Sequence, residues 1–351
     1  MTVVIGRRWT TWKKDNYRLY VWVPESKQYA HVYTWGGYDG FDNNGGDAWT
    51  KYINIPITTT PSEYAQYKIV IDATNVTVYS ADGTQKSQGA VADDFWANVK
   101  SDGSDIRVFD QAKEQLYFWI EEWDYSNQKA VIWVNLTSGS SELNIAYGNP
   151  SATKSEYEDP SRVFEFFRDY EDGVISDLTI NGGTWSVVVD GTNVLEGTIG
   201  YGSNGYANYS IDYSDFVIEV DMNPVSFGGG GAHCAIVFRF QDTNNHYFVS
   251  ATGGGVWRLL KKVDGSMTHI GTDYGSVATD TWYSIKIVAN GDNGNIKVFI
   301  DGSLAWDVTD TTFTTGKVGF YVGGATGHWD NIRVLKLADT ADFGTPSIQE
   351  F

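Results

Sequence analysis

Apolar and polar residues alternate with a period of two along most of this chain, and helical periodicity hardly occurs. Successive strand side chains point to opposite faces, so this pattern describes half-buried β-strands. In YKIVIDATNVTVYSADGT (67–84), two β-rich runs lie close together and an Asp82-Gly83 turn signal follows. In GNIKVFIDGSLAWDV (294–308), the runs Ile296–Ile300 and Ser303–Val308 flank Asp301-Gly302, a strong hairpin signature. Similar turns stand at Asp190-Gly191 and Asp264-Gly265. The pattern leaves room for one helix, around Asp93–Lys100.

Composition fits this reading. Aromatic residues make up 15% of the chain and glycine reaches 38, against 7 prolines, as in a well-buried β protein with many tight turns. Without helices between the strands, antiparallel sandwiches are expected rather than a parallel sheet. The fold class is therefore all-β, with tandem antiparallel β-sandwiches.

Charge excludes several functions. The 44 acids against 25 bases give a net charge of −19 with no basic block, so the counter-charge for a nucleic-acid backbone is missing. No apolar stretch approaches the roughly 20 residues that span a bilayer, and the basic start lacks the apolar core of a standard secretory signal. A lone Cys234 rules out an internal disulfide and a cysteine zinc cluster. It sits among Ala, Ile, Val and Phe, as a small buried residue would.

The string GNPSATKSEYEDPSR (148–162) is polar, carries Pro150 and Pro160, and divides two aromatic-rich stretches. Four units follow: an N-terminal β-rich segment at 1–47, a sandwich at 48–150, a second at 161–338, and a tail at 339–351. Strands Tyr17–Val23 and Gln28–Trp35 are expected within the first.

The strings DGSDIRVF (102–109), LYFWIE (116–121), AVIWVN (130–135) and YGNP (147–150) occur in an order similar to domain of unknown function 2341. That resemblance covers about residues 48–150 and implies a surface protein of prokaryotes or their viruses, with no enzyme activity. Residues 161–338 resemble a concanavalin A-like jelly roll of the laminin-G or lectin kind. The carrying strings are FEFF (164–167), FVIEVD (216–221), IVFRF (236–240), TWYSIKI (281–287), VGFY (318–321) and WDNIRV (329–334). This fold hosts lectins, adhesion modules and glycan-cleaving enzymes, so the fold does not decide function.

A glycosidase needs two carboxylates about the scissile bond. Jelly-roll glycosidases of the laminarinase type carry Glu-x-Asp-x-x-Glu on one strand; the similar string here, Glu219-Val220-Asp221-Met222-Asn223-Pro224, ends in proline. Glu219 and Asp221 are then read as outward polar positions, and the chain as a non-enzyme. The five histidines form no zinc motif, and neither Gly-x-Ser-x-Gly nor a P-loop occurs. The glycine runs Gly228–Gly231 and Gly253–Gly255 lack a following helix to hold phosphate and are read as loops at one end of a sandwich. Asn-x-Ser/Thr occurs at Asn75, Asn135 and Asn208.

The jelly-roll resemblance implies a structural Ca²⁺ held by Asp330 of Trp329-Asp330-Asn331, with Asp169 and Glu171 as partners. Sugar binding asks for a flat aromatic face beside a few polar groups. Trp257 next to Arg258 meets that description, with Arg239, Asn245 and His246 adjoining. The function expected is a non-catalytic virion surface protein, a phage tail or capsid-decorating adhesin that binds host-surface glycan. Residues 1–47 would attach it to other virion or surface proteins, and it would form a homo-oligomer. The alternatives are a secreted or cell-wall carbohydrate-binding protein and a jelly-roll glycoside hydrolase.

Overall fold

The computed structural model describes the strands Tyr17–Val23 and Gln28–Trp35, residues 49–337 and residues 341–350. The first two strands pair with each other as an antiparallel hairpin, within the limits expected of them. The attachment role assigned to residues 1–47 lies outside the described residues.

The first sandwich stacks two sheets. One orders Gln85–Gly89, Val76–Ser80, Ala65–Ile71, Lys129–Leu136 and Phe118–Asp124. The other runs through Lys51–Thr59, Glu142–Tyr147 and Arg107–Asp110. Ile53, Ile55, Tyr67, Ile69, Val78, Ile132 and Ile145 fill the space between. The helix spans Ala92–Asn98 and lays Phe95 and Trp96 into that core.

The C-terminal residues are no free tail. Asp342–Phe343 and Ser347–Glu350 pair antiparallel with Lys51–Thr59, and Ala341 and Phe343 join the first core. Lys51–Thr59 would otherwise present an open sheet edge, which the chain end covers. The first sandwich is therefore closed by residues from both sides of the second.

The second sandwich is a jelly roll of an eight-stranded and a seven-stranded sheet. The eight-stranded sheet orders Thr184–Asp190, Thr192–Thr198, Ala325–Lys336, Phe216–Phe227, Tyr283–Ala289, Asn295–Ile300 and Ser303–Thr309. Phe166–Arg168 pairs at its side. Alternation sorts Phe216–Phe227 as expected: Phe216, Ile218, Val220 and Met222 enter the inter-sheet core. Glu219, Asp221 and Asn223 take the opposite face. At Asp264-Gly265 and Asp301-Gly302 both residues have positive φ, the tight-hairpin geometry that the sequence signals.

The sandwiches meet on that outer face. Val217, Val288 and Leu335 of the second pack against Val131 and Trp133 of the first, with Phe164 of the linker between. Arg333 lies 5.3 Å from the Trp133 ring and 5.6 Å from that of Trp119. It donates to Glu219 at 2.8 Å and to Glu121 of the first sandwich. Lys286 reaches Glu219 at 3.3 Å and the Ala81 carbonyl at 2.6 Å. Burial raises the Glu219 pKa, but Arg333 and then Lys286 outweigh it and hold the group at about 2. Glu219 does point outward from its sheet, yet the first sandwich buries it in an ion network. It is a joint between modules, unavailable to a substrate.

Candidate functional site

The expected sugar-binding residues do not converge. Trp257 is 1% exposed and packs edge-on to Tyr283 in the inter-sheet core. Arg258, the next residue, points the opposite way to a salt bridge with Asp273 at 3.0 Å. Neighbours on a strand cannot share a face, so Trp257 and Arg258 cannot form one platform. Arg239 is fully buried with φ 47° and donates to the Phe313 and Ser214 carbonyls, tying loops together. Asn245 bonds Asp242 and the Asp264 amide, fixing a hairpin. His246 lies buried among Tyr206, Phe240 and Phe248, and burial lowers its pKa to about 4.

The expected calcium set is only partly assembled. Asp330 is 7% exposed, and burial pushes its pKa up to about 6, with Asp221 and Asp169 adding to the rise. Glu171 accepts from the Asn193 amide at 3.1 Å. Among the described residues no three His, Cys, Asp or Glu side chains converge as a metal site. As placed, Asp330, Asp169 and Glu171 do not fit a cation.

Asp330 belongs instead to a cleft of about 560 Å³ on the outer face of the eight-stranded sheet, beside the inter-sandwich joint. Its lining comprises Asp190, Gly191, Thr192, Asp221, Trp282, Tyr283, Ser284, Asp301, Asp330 and Asn331. Asp221 and Asp330 are cross-strand partners, a like-charge pairing that is costly unless relieved. Relief comes at Asn331, whose positive φ of 50° marks an irregularity in the strand. Its amide side chain donates to Asp221 at 3.1 Å, and its backbone N–H donates to Asp330 at 2.8 Å. Burial nonetheless leaves the Asp221 pKa raised.

Asp190, at the tip of a hairpin, forms the facing wall. It accepts from His328 Nδ1 at 2.9 Å and from Asn223 Nδ2 at 3.2 Å. The His328 bond lowers its pKa, partial burial opposes this, and Asn223 and the Trp282 indole add to the lowering. His328 Nε2 meets Glu196 at 3.1 Å, so the ring ties Asp190 of one hairpin arm and Glu196 of the other to Ala325–Lys336. Asp301 accepts from the Ser284 amide at 2.9 Å. Trp282, 37% exposed, gives the cleft an accessible aromatic ring. Asn223 is 5% exposed, and its Oδ1 has no partner among the described residues.

This lining is rich in hydrogen-bond acceptors, offers one exposed indole and contains no Lys, Arg or His. It suits a neutral molecule with many hydroxyl donors and repels anions. Sequence reading missed Trp282 because the TWYSIKI string served only as a fold marker. The signal was nevertheless present: two of the Asp-Gly turns, at Asp190 and Asp301, place their aspartates in this cleft.

Comparison with known proteins meets both resemblances. The domain of unknown function DUF2341 matches residues 102–188, so the match begins within the first sandwich rather than at residue 48 and runs through the linker into the first strands of the jelly roll. A 3-keto-alpha-glucoside-1,2-lyase-like domain matches residues 164–335, just under half of the chain. The jelly roll is similar to that domain.

An uncharacterised protein of Archaeoglobus fulgidus is 34% identical over 148 residues, covering 39% of this chain and 56% of that protein. Levanase of Bacillus subtilis is 27% identical over 156 residues, covering 44% of this chain and 22% of the levanase. The chain thus spans little more than half of one relative and under a quarter of the other. Among solved structures, carbohydrate-binding module CBM66 from Bacillus subtilis aligns at 24% identity and TM-score 0.41, over 46% of this chain and 97% of the module. A Bacillus subtilis protein of unknown function with a galectin-like fold aligns at 14% identity and TM-score 0.39, over 51% and 96%. Among the described residues no helix is long and apolar enough to cross a membrane.

Proposed function

We propose that this chain is a non-catalytic carbohydrate-binding protein of an extracellular or cell-wall setting, and that its jelly roll holds a neutral glycan in the Trp282 cleft. The carrying observation is the lining itself: an exposed indole beside four carboxylates and an amide, without a basic group. A sugar offers an apolar ring face to Trp282 and hydroxyl donors to Asp190, Asp221 and Asp301. The similarity to a glucoside-lyase-like domain and to levanase supports carbohydrate as the ligand class. Both curated relatives come from cellular organisms, which favours the cell-wall reading over a virion surface.

One observation supports a catalytic second reading. Asp330, raised to about 6, stands in the same cleft as Asp190, which is held ionised, and such a pair can supply acid and base. A glycan array decides the first reading: neutral sugars bound in preference to sialylated or sulfated ones support it, and the reverse order overturns it. Release of reducing ends from a bound polysaccharide, abolished by Asp330→Asn, would establish the second.

A further inference from the structure

The cleft leaves one end of the jelly roll unexplained. Four connections meet there: residues 199–203, 228–232, 253–256 and the turn at Gly324. The Gly228 amide donates to the Gly324 carbonyl, the Gly324 amide to Ser203, the Gly253 amide to Ala232, and the Ile199 amide to Ala325. The two glycine runs of the sequence thus lie side by side.

Tyr201 lies on them. It is 66% exposed, among the most exposed large apolar side chains in the described residues. A Cβ on Gly229 would come within 2.8 Å of the Tyr201 ring, and one on Gly324 within 2.9 Å of its Cα. Glycine at these positions lets the ring rest directly against loop backbone. A Cβ on Gly200, Gly202 or Gly230 would meet nothing within 4 Å, so the surroundings are open. Burial does not account for a ring seated this closely and left this exposed.

The second observation is charge. Residues 197–211, 222–238, 243–257 and 318–329, which contain these connections and the strand residues nearest them, hold no Asp, Glu, Lys or Arg, although such residues make up 20% of the chain. A platform free of charge on a molecule of net charge −19 fits a neutral partner and gives an ionic one no counter-charge. It shares a strand with the cleft. Along Ala325–Lys336 the turn at Gly324 is six residues from Asp330, about 20 Å of strand.

We infer that Tyr201 is a distal stacking platform for the glycan held at Trp282, so that the ligand is a neutral polysaccharide chain several sugars long. This inference rests on the cleft reading above. The cleft grips one part of the chain, and the Tyr201 ring stacks on a sugar further along. Two such contacts on one polymer raise affinity by making the second encounter intramolecular.

Affinity electrophoresis and calorimetry with levan, laminarin, mannan and xylan, and with fructose, glucose, mannose and xylose, test it. With the polymer that retards the wild type, Tyr201→Ala is expected to weaken binding about tenfold, and Tyr201→Trp to restore it. Tyr201→Ala leaves binding of the matching monosaccharide unchanged, whereas Trp282→Ala lowers both. Polymer affinity unaltered in Tyr201→Ala while Trp282→Ala loses it overturns this inference and leaves the cleft reading standing. Equal loss of polymer and monosaccharide in Tyr201→Ala also overturns it. A wild-type chain that none of these polymers retards overturns the cleft reading, and this inference with it.

Discussion

Replacing Arg333 by alanine tests the joint between the two sandwiches. The guanidinium bonds Glu219 and Glu121 and lies over the rings of Trp119, Trp133 and Phe164. Its removal leaves Glu219, 9% exposed, with Lys286 at 3.3 Å as its one remaining ion-pair partner among the described residues. Breaking a buried ion pair from one side costs about 3–5 kcal/mol, and the retained lysine places this case near the lower end. The fall of the Glu219 pKa from 4.5 to about 2 is the joint effect of Arg333, Lys286 and Lys68 against burial, and at about 1.4 kcal/mol per pH unit it corresponds to about 3 kcal/mol for the network as a whole.

Because the folded pKa lies below the unfolded one, this stabilisation is complete above about pH 4.5 and drains away as the pH falls toward 2. Urea unfolding followed by tryptophan fluorescence should therefore place Arg333→Ala about 3 kcal/mol below wild type at pH 7, with a smaller gap at pH 3. The triple variant Arg333→Met, Glu219→Met, Lys286→Met should recover most of the loss, since it leaves neither Glu219 nor Lys286 as an unpaired buried charge. A gap under about 1 kcal/mol at pH 7, or one unchanged at pH 3, would refute the reasoning.

The docked chain end makes Phe343→Ala costly: the ring is 7% exposed and meets Tyr67 edge-on at 4.9 Å. A loss of about 3 kcal/mol is expected in the calorimetric transition of the first sandwich, and an unchanged transition would mean that the end does not pack there. Asp330 carries the opposite sign to Glu219. Its folded pKa of about 6 exceeds the unfolded value, so ionisation strains the fold as the pH rises through 6, and Asp330→Asn should stabilise at pH 8 and not at pH 4. Equal effects at both pH values would argue against that origin. Millimolar calcium is expected to leave Tm unchanged, because Glu171 is engaged by Asn193; a clear rise reversed by EDTA would restore the cation at Asp330.

Much of the fold was readable because its causes are local. Asp301-Gly302 and Asp264-Gly265 announce their hairpins through residues that tolerate positive φ, and Phe216–Phe227 announces its buried face through alternation. The chain end was not readable, since Phe343 finds its place only once Lys51–Thr59 exposes an edge. The site was less legible for the same reason. Trp257 and Arg258 are neighbours in sequence and opposites in space, whereas Trp282, Asp190 and Asp330 come from distant strands that only the sheet brings together. Glu219 was rightly placed on the outer face, but what covers it belongs to another module.

The central claim is that the Trp282 cleft binds a neutral glycan. Its most direct test is calorimetric titration of the best array ligand into wild type and Trp282→Ala, with urea unfolding to show that both are equally stable. The cleft account predicts saturable binding to wild type and at least tenfold weaker binding to the variant, about 1.4 kcal/mol. Equal affinities in two equally folded proteins would contradict it.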